Sequence, residues 1–276
     1  MIPVLGHLGS IPIQSFGLMV AVAFVAAGVV MQLDFARKGE PPELAWAIVV
    51  FAFVGGLVGG RANLALEYPA AFAAAPAAFL ASRSGFVWYG GLAGGIAATL
   101  IPIRWFRVRW ASAADTAAPA LALGLAIGRV GCHLAGDGDW GTPSALPWAI
   151  AYTNGVAPWP HPPGVRVHPA ALYEGVALAV LFAVLWRQRG RLAPAGATFA
   201  VYLIAAGTIR FVVELVRTNP PLALGLTEAQ WMSLVAVGVG LTTWATRYSS
   251  NPGGTSKPPH TSASRRAKSI GVRSSR

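Results

Sequence analysis

Charged side chains interrupt long apolar stretches of this chain, and their types suggest a site for a phosphate-bearing ligand. Arg61, Arg129 and Arg210 each lie near one end of a different stretch, whereas only Glu174 and Glu214 offer nearby negative charge. An ionisable group in a membrane-spanning helix costs about 2.5–3.5 kcal/mol on insertion scales, so each is a candidate functional residue. A guanidinium group donates paired hydrogen bonds to two phosphate oxygens, which makes an external anion a suitable partner for the excess positive charge.

A purely structural interpretation of part of this pattern stays open. Arg210 and Glu214 are four residues apart, so on a helix they share one face and could form a local ion pair. Glycines next to Arg61 and Arg129 could let either two helices or a lipid headgroup approach closely. Because three arginines outnumber two carboxylates, we predict a membrane-embedded site for a phospholipid-like anion.

The composition indicates that the elements carrying these residues lie in a membrane. Of the 276 residues, 55% are hydrophobic and only 11% are charged, which is too little charge to cover the surface of a soluble protein. Cys132 is the single cysteine, so a disulfide framework is excluded. The long apolar stretches are typical of membrane helices rather than of short alternating membrane strands.

About seven apolar segments are long enough to cross a bilayer as helices, which requires about 20 residues each. They cover residues 14–33, 44–66, 86–106, 115–135, 169–186, 196–216 and 228–246. No basic region precedes the first segment, so a cleavable signal peptide is not predicted. Lysine and arginine concentrate in alternate connections and after the last segment, which predicts an outward N-terminus and a cytoplasmic C-terminus. The predicted fold class is an all-α membrane protein.

The composition of the connections predicts a membrane domain, 1–248, followed by a tail, 249–276. The longest external loop, 136–167, carries three tryptophans and six prolines. Tryptophan favours the membrane interface and proline restricts the backbone, so we predict a small external cap. The tail is predicted to be disordered, either simply solvated or in contact with anionic lipid. The tail lacks aromatic stacking residues, which argues against binding of nucleic acid.

Several motifs resemble those of the prolipoprotein diacylglyceryl transferases, in the same order from about residue 10 to 246. The matching segments are Gly59-Gly60-Arg61, Tyr89-Gly90-Gly91-Leu92-Ala93-Gly94, Gly128-Arg129-Val130-Gly131, His168-Pro169-Ala170-Ala171-Leu172-Tyr173-Glu174, and the spaced residues Arg210, Glu214 and Arg217. The last two are the most specific, and the combination is more specific than any one motif. The resemblance implies a seven-span fold in the bacterial inner membrane, with a periplasmic cap and a site that opens toward the outer leaflet.

The resemblance also implies a reaction. A diacylglyceryl group would pass from phosphatidylglycerol to the thiol of a lipobox cysteine on a secreted precursor. The products would be a thioether and glycerol phosphate. The implied partners are phosphatidylglycerol, the prolipoprotein signal peptide and the membrane, whereas no metal and no organic cofactor are implied. The oligomeric state is not predicted.

The residue types suit this reaction. Arg129 and Arg210 are predicted to stabilise charge on the phosphodiester leaving group, with Arg61 as a third contact. The acceptor thiol must lose a proton, because a free thiol with a pKa near 8.5 is mostly protonated at neutral pH. Tyr89 and Asp137 are the other predicted catalytic residues. The predicted substrate-binding residues are Arg61, Gly90, Gly91, Gly131, Cys132, His133, His168, Tyr173, Glu174, Glu214 and Arg217.

Four positions near this predicted site depart from the family pattern. Tyr89 stands where the family has a histidine, Cys132 replaces an asparagine, Asp137 replaces a glutamate, and Phe16 stands for a tyrosine. Tyrosine, with a pKa near 10, is a poorer base than histidine at neutral pH. A thiol does not replace the hydrogen bonds of an amide. The departures therefore leave open whether the activity is kept, redirected or lost.

Several of these residues also have structural alternatives. His133 could take over proton transfer or could only pack, and Asp137 and Asp139 could assist it or only cap the turn. Cys132 could be reactive beside a cation, or it could be a small packing residue. His168 could bind substrate or could only start a helix. Tyr173 could bind the lipid headgroup or could only lie at the membrane interface.

Three functions are consistent with the sequence. An active prolipoprotein transferase is the main prediction, and the same scaffold acting on another acceptor or lipid is the second. A non-catalytic phospholipid-binding or assembly protein is the third. A transporter is disfavoured, because the two halves of the chain show no convincing internal repeat.

Overall fold

The computed structural model describes residues 1–82 and 88–249, and most of these residues lie in helices. In chain order the elements are β1 (Val4–Leu8), β2 (Ile11–Gln14), α1 (Ser15–Lys38), α2 (Leu44–Glu67), α3 (Pro69–Ala74), α4 (Pro76–Ala81), α5 (Trp88–Trp105), α6 (Trp110–Ala135), α7 (Ala170–Gln188), α8 (Ala197–Glu214), β3 (Pro221–Ala223), β4 (Leu226–Thr227) and α9 (Glu228–Ser249). The strands form two small antiparallel hairpins that the all-α prediction omitted. Each predicted segment coincides with a long helix. The predicted disorder of 250–276 and the start of the third segment, 86–87, lie outside the described residues.

Five helices are long and apolar enough to cross a membrane, namely α1, α2, α6, α7 and α8. Large apolar side chains such as Val25, Leu57 and Val176 are exposed on them, an arrangement suited to lipid rather than to water. The helices α5 and α9 coincide with the other two predicted segments, 86–106 and 228–246, but they fall outside this set of five. The protein is therefore a mostly helical membrane protein, while the number of seven spans stays a prediction.

Glycines hold α2 and α5 in close contact. Gly55 and Gly59 on α2 face Gly90 and Gly94 on α5, and a Cβ atom added at any of the four would overlap the opposite helix. Small residues allow such close backbone approach between membrane helices. This contact fixes α5, whose first turn carries Tyr89, against α2.

We expect Gly59→Ala to destabilise the protein by about 1–3 kcal/mol, because the added methyl group has no room against α5. Gly238→Ala is the matched control, since a Cβ added at that glycine of α9 meets open space. Thermal unfolding in detergent measures both variants. A Gly59→Ala protein as stable as the Gly238→Ala protein would contradict the observed packing.

A buried polar cluster joins α1 to α6 at one end of the bundle. Asp34 is only 2% exposed, and it accepts a hydrogen bond from Arg37 Nε at 2.8 Å. Lys38 Nζ lies 3.1 Å from the same carboxylate and donates to Thr116 Oγ1 at 2.6 Å. These partners at i+3 and i+4 stabilise the last turn, which explains why α1 continues past the predicted end at residue 33.

Asp115 fixes the start of α8 against α6 at this same end. Its carboxylate accepts hydrogen bonds from Gly196 N at 2.7 Å and Phe199 N at 2.9 Å, groups at a helix start that have no partner within the helix. Arg129 follows Asp115 by 14 residues, and Arg210 follows Gly196 by 14 residues, about 21 Å along each helix. Because Asp115 aligns the two helices at this end of the bundle, Arg129 and Arg210 lie at the same level near its opposite end.

Candidate active site

Ion pairs gather where the ends of α6 and α8 meet the start of α7. Arg129 Nε lies 3.0 Å from Glu174 Oε2, and Arg210 Nη1 lies 2.6 Å from Glu214 Oε2 and 3.9 Å from Glu174 Oε2. Arg217, just beyond α8, approaches Glu214 Oε2 to 3.4 Å through Nε. Both glutamates are buried, so these charges compensate one another rather than facing water.

The loop between α6 and α7 adds Asp139, a carboxylate whose role the sequence leaves open between assisting His133 and capping a turn. Arg129 Nη1 donates to Asp139 Oδ2 at 2.5 Å, and Arg217 Nη2 donates to Oδ1. Burial would raise the pKa of Asp139, but the hydrogen bond and charge of Arg217, together with the charge of Arg129, hold that pKa below its ordinary value. Asp139 therefore links the loop to α6 and to the segment after α8 as an ionised bridge.

Two glycines shape the turn that presents this carboxylate. Gly136 ends α6 with a φ of 62°, and Gly138 has a φ of 103°. Residues with a Cβ atom rarely adopt such backbone angles. The chain can therefore reverse sharply on both sides of Asp137 and direct Asp139 back toward the arginines.

Backbone hydrogen bonds attach the loop to both neighbouring helices. Thr142 N donates to Val216 O at 2.7 Å, and His168 N donates to Thr142 O at 3.1 Å. The first bond lies next to Arg217, and the second lies just before α7. Because the loop is held at both points, Asp139 stays within reach of Arg217.

Residues 136–167, the segment predicted to form a cap, have an aromatic core of their own. Trp140, Tyr152 and Val167 are buried together, with Trp159 packed against them. His133 Nδ1 lies 2.9 Å from the Tyr152 hydroxyl, so His133 contacts the cap. This placement agrees with the packing alternative for His133.

A cavity of about 680 Å³ opens beside the ion pairs. Its polar lining includes the three arginines 129, 210 and 217, while its apolar lining includes Leu92, Leu125, Leu178 and Met232. Such a mixed lining suits an amphipathic ligand, with its charged group near the guanidinium groups and its hydrocarbon against the leucines. Within the described part of the chain, Arg217 Nη1 is buried without a hydrogen-bond partner, and a ligand oxygen would satisfy it.

The charge balance differs from the one expected from sequence. By sequence, three arginines, including Arg61, face two carboxylates. In the structure Arg217 joins the cluster instead of Arg61, and Asp139 provides a third carboxylate. Among the described residues of this cluster, three arginines face three carboxylates, so the prediction of an anion site needs a reason other than an excess of positive charge. The unsatisfied donor of Arg217 and the lining of the cavity are the reasons that stand.

Four residues predicted to bind substrate lie in contacts within the protein instead. Arg61 donates a hydrogen bond to the backbone carbonyl of Ser82. Gly90 and Gly91 lie in the contact between α2 and α5, and Gly131 packs against α1. None of the four is among the described residues that line the cavity. The glycines at these positions allow two helices to approach closely, which was one of the two alternatives that the sequence left open.

Cys132 and Asp137 form a small cluster with Asp139 beside the cavity. One ligand-type atom of each lies within 4.8 Å of the other two, and Arg129 Nη1 lies 4.0 Å from Cys132 Sγ. Burial, followed by the negative charge of Asp139, raises the pKa of Asp137. These atoms are close enough to ligate a metal ion, but their contacts with one another and with Arg129 account for the arrangement. Neither Cys132 nor Asp137 is among the described residues that line the cavity.

His168 and Tyr173 hold the cap on the first turn of α7. His168 Nδ1 lies 3.2 Å from the Tyr173 hydroxyl, and Trp148 Nε1 donates to the same hydroxyl at 2.7 Å. Both residues lie off the cavity wall in the described part of the chain. Their contacts lie next to the turn that carries Glu174.

Tyr89 lines the cavity together with Glu228, a residue that the sequence analysis did not single out. Both side chains lie on the cavity wall, and the Tyr89 hydroxyl interacts electrostatically with the Glu228 carboxylate. Tyr89 lies in the first turn of α5 and Glu228 begins α9, so the pair brings together two helices that are far apart in sequence. An acidic residue at the start of a helix is common, which is why Glu228 carried no functional signal.

The fold and the site together define a helical membrane protein with an arginine cluster beside a cavity for an amphipathic ligand. The chain belongs to the prolipoprotein diacylglyceryl transferase family, whose model matches residues 3–246. A phosphatidylglycerol-prolipoprotein diacylglyceryl transferase of Paraburkholderia phymatum is 35% identical, over 89% of this chain and 93% of the relative. Those of Nitratidesulfovibrio vulgaris (34% identical, 87% and 91%) and Aromatoleum aromaticum (33%, 87% and 93%) are similar. The family predicted from the motifs is confirmed.

Proposed function

We propose that this protein transfers the diacylglyceryl group of phosphatidylglycerol to the lipobox cysteine thiol of a prolipoprotein. A carbon–sulfur bond forms, the carbon–oxygen bond to the phosphate breaks, and glycerol phosphate leaves. The observation that carries the proposal is the arginine cluster on the wall of a half-apolar cavity. Relatives similar over nearly their whole length are named for this reaction.

The arginines suit the charge that develops during the transfer. When the carbon–oxygen bond breaks, the phosphate oxygens gain negative charge, and fixed donors stabilise it without reorganisation. Arg217 Nη1 offers a buried donor with no partner among the described residues, and Arg210 adjoins it in the same cavity. Glu174 and Glu214 hold the guanidinium groups of Arg129 and Arg210 in place.

The apolar part of the cavity provides for the hydrocarbon of the donor lipid. Leu92 of α5, Leu125 of α6, Leu178 of α7 and Met232 of α9 lie on its wall. Apolar surfaces of this kind bind acyl carbons by removing them from water, at about 0.8 kcal/mol for each CH₂ group. A headgroup at the arginines would leave the glycerol carbon between the two regions, where the thiol must attack.

The site faces away from the basic end of the bundle, which suggests its side of the membrane. Arg37, Lys38 and Arg189 lie around one polar pocket near the start of α8, whereas Arg129 and Arg210 lie near the opposite ends of α6 and α8. Lysine and arginine favour the cytoplasmic side. With α5 and α9 also spanning, seven spans place the N-terminus outside and the site at the outer leaflet of the bacterial plasma membrane.

A mass-shift assay tests the function. Purified protein would receive phosphatidylglycerol and a synthetic lipobox peptide, and we expect a diacylglyceryl adduct on the peptide cysteine. Arg129→Ala should abolish the adduct, whereas Arg166→Ala, at an exposed arginine of the cap, should leave it unchanged. A folded wild-type protein that retains the lipid but never forms the adduct would contradict the transferase and would favour a binding role.

A further inference from the structure

Transfer to a thiol requires a group that accepts the thiol proton. The sulfur attacks as the thiolate, and a free thiol with a pKa near 8.5 holds its proton at neutral pH. Among the residues predicted for this task, His133 contacts the cap and Asp137 lies off the cavity wall in the described part of the chain. We therefore expect the acceptor among the carboxylates on the cavity wall that are not held in an ion pair.

Three of the four carboxylates on the cavity wall are already committed to arginines. Asp139 bridges Arg129 and Arg217, while Glu174 and Glu214 pair with Arg129 and Arg210. A carboxylate held in such pairs is a weaker base, because protonation would sacrifice the ion pair. Their role is to balance and orient the guanidinium groups.

Glu228 is the fourth carboxylate of the cavity and has a different setting. Within the described ranges, 1–82 and 88–249, no arginine or lysine forms an ion pair with it, and it shares the cavity wall with Tyr89, whose hydroxyl interacts electrostatically with it. Both side chains are exposed, so a proton received there can pass on to solvent. Among the described residues, the charged groups that share the cavity with this pair are the three arginines and their carboxylates, on α6, α7 and α8 and in the adjoining loops.

We propose that Glu228 is the proton acceptor for the substrate thiol and that Tyr89 relays the proton to it. This inference rests on the proposed function. In this relay the Tyr89 hydroxyl donates its proton to the Glu228 carboxylate as its oxygen accepts the proton of the S–H group. No free tyrosinate is needed, which removes the objection that tyrosine is a poor base at neutral pH.

The step balances as a simple displacement. The sulfur forms a bond to the glycerol carbon, and the carbon–oxygen bond to the phosphate breaks with its electron pair on the oxygen. The S–H proton moves to the Tyr89 oxygen as the tyrosine proton moves to Glu228. The glycerol phosphate leaves beside the arginines, and the protonated Glu228 returns its proton to water at the exposed side of the cavity.

Glu228→Gln and Tyr89→Phe test the relay in the adduct assay with rates measured against pH. General-base catalysis is worth about 10²–10⁴-fold, so we expect each variant to lose at least about 100-fold in kcat/KM near pH 7. Near pH 9.5 the thiol ionises unaided, and the loss should shrink to within about tenfold. The double variant should lose no more than either single variant, because both changes interrupt one path.

Two controls separate a lost base from lost structure or a wrong function. A selenocysteine peptide, whose selenol is ionised at neutral pH, should react with both variants at nearly the wild-type rate. Glu67→Gln, at an exposed glutamate that ends α2, should leave every rate unchanged. Full activity of Glu228→Gln or of Tyr89→Phe at neutral pH, or a loss that persists at high pH and with the selenol, would overturn the relay. Failure of the wild-type protein itself would instead reject the proposed function.

Discussion

Arg210→Ala is expected to lower the rate of diacylglyceryl transfer by about 10²–10³-fold, the usual effect of removing one donor to a developing oxyanion. Arg210 contacts both buried glutamates, at 2.6 Å from Glu214 and 3.9 Å from Glu174. Without Arg210 the leaving phosphate would lose a nearby positive charge. The negative charges of Glu174 and Glu214 would also be less completely neutralised, so they would repel the phosphate. Single-turnover rates with bound phosphatidylglycerol and the lipobox peptide measure the effect on the chemical step.

Arg210→Lys distinguishes charge from geometry. Lysine keeps a positive charge but lacks the planar pair of donors that matches two phosphate oxygens, so we expect an intermediate rate with lipid retention preserved. Glu214 keeps hydrogen bonds from Asn219 at 2.6 Å and from Thr227 at 2.9 Å in these variants, which limits the structural damage. Wild-type rates in Arg210→Ala would remove this arginine from the proposed chemistry.

The helices were predictable because apolar length determines them. The segment 44–66 matches α2 (Leu44–Glu67), and 169–186 matches α7 (Ala170–Gln188) closely. The observed end of a helix differs from the predicted end where polar side chains stabilise extra turns that hydropathy does not detect. Asp34, near the end of α1, is an example. The hairpins β1–β2 and β3–β4 are too short to give a recognisable alternating pattern.

The candidate site was only partly predictable, because its completion depends on contacts between distant segments. The pair Arg210–Glu214 follows from helical spacing alone, and Glu174 follows from its motif. Asp139 reaches the arginines only because the cap is attached beside Arg217. Arg61 looked equivalent to the other arginines by position, yet the tight contact of α2 with α5 leaves it outside the cavity.

Asp139→Asn is expected to destabilise the protein and to lower its activity together. The substitution removes the negative charge that Arg129 and Arg217 share, and breaking a buried ion pair costs about 3–5 kcal/mol. The Asp139 side chain is 27% exposed, so we expect about 3 kcal/mol, the lower end of that range, because solvent screens part of the charge. Thermal unfolding in detergent near neutral pH measures the loss, and transfer activity should fall with it because both arginines lose their bridge.

The dependence on pH identifies the charge as the cause. Arg217 holds the pKa of Asp139 below its ordinary value, so the stabilisation is present above the unfolded pKa of about 3.9 and disappears as pH falls through the folded pKa. The difference between the wild-type protein and Asp139→Asn should therefore narrow below about pH 4. Asp137→Asn is the matched control, since burial and the charge of Asp139 raise the pKa of Asp137. Its ionisation opposes folding at neutral pH, and its replacement should leave the unfolding temperature unchanged or higher. Equal losses in the two variants would show that the bridge through Asp139 does not hold the cap to the arginine cluster.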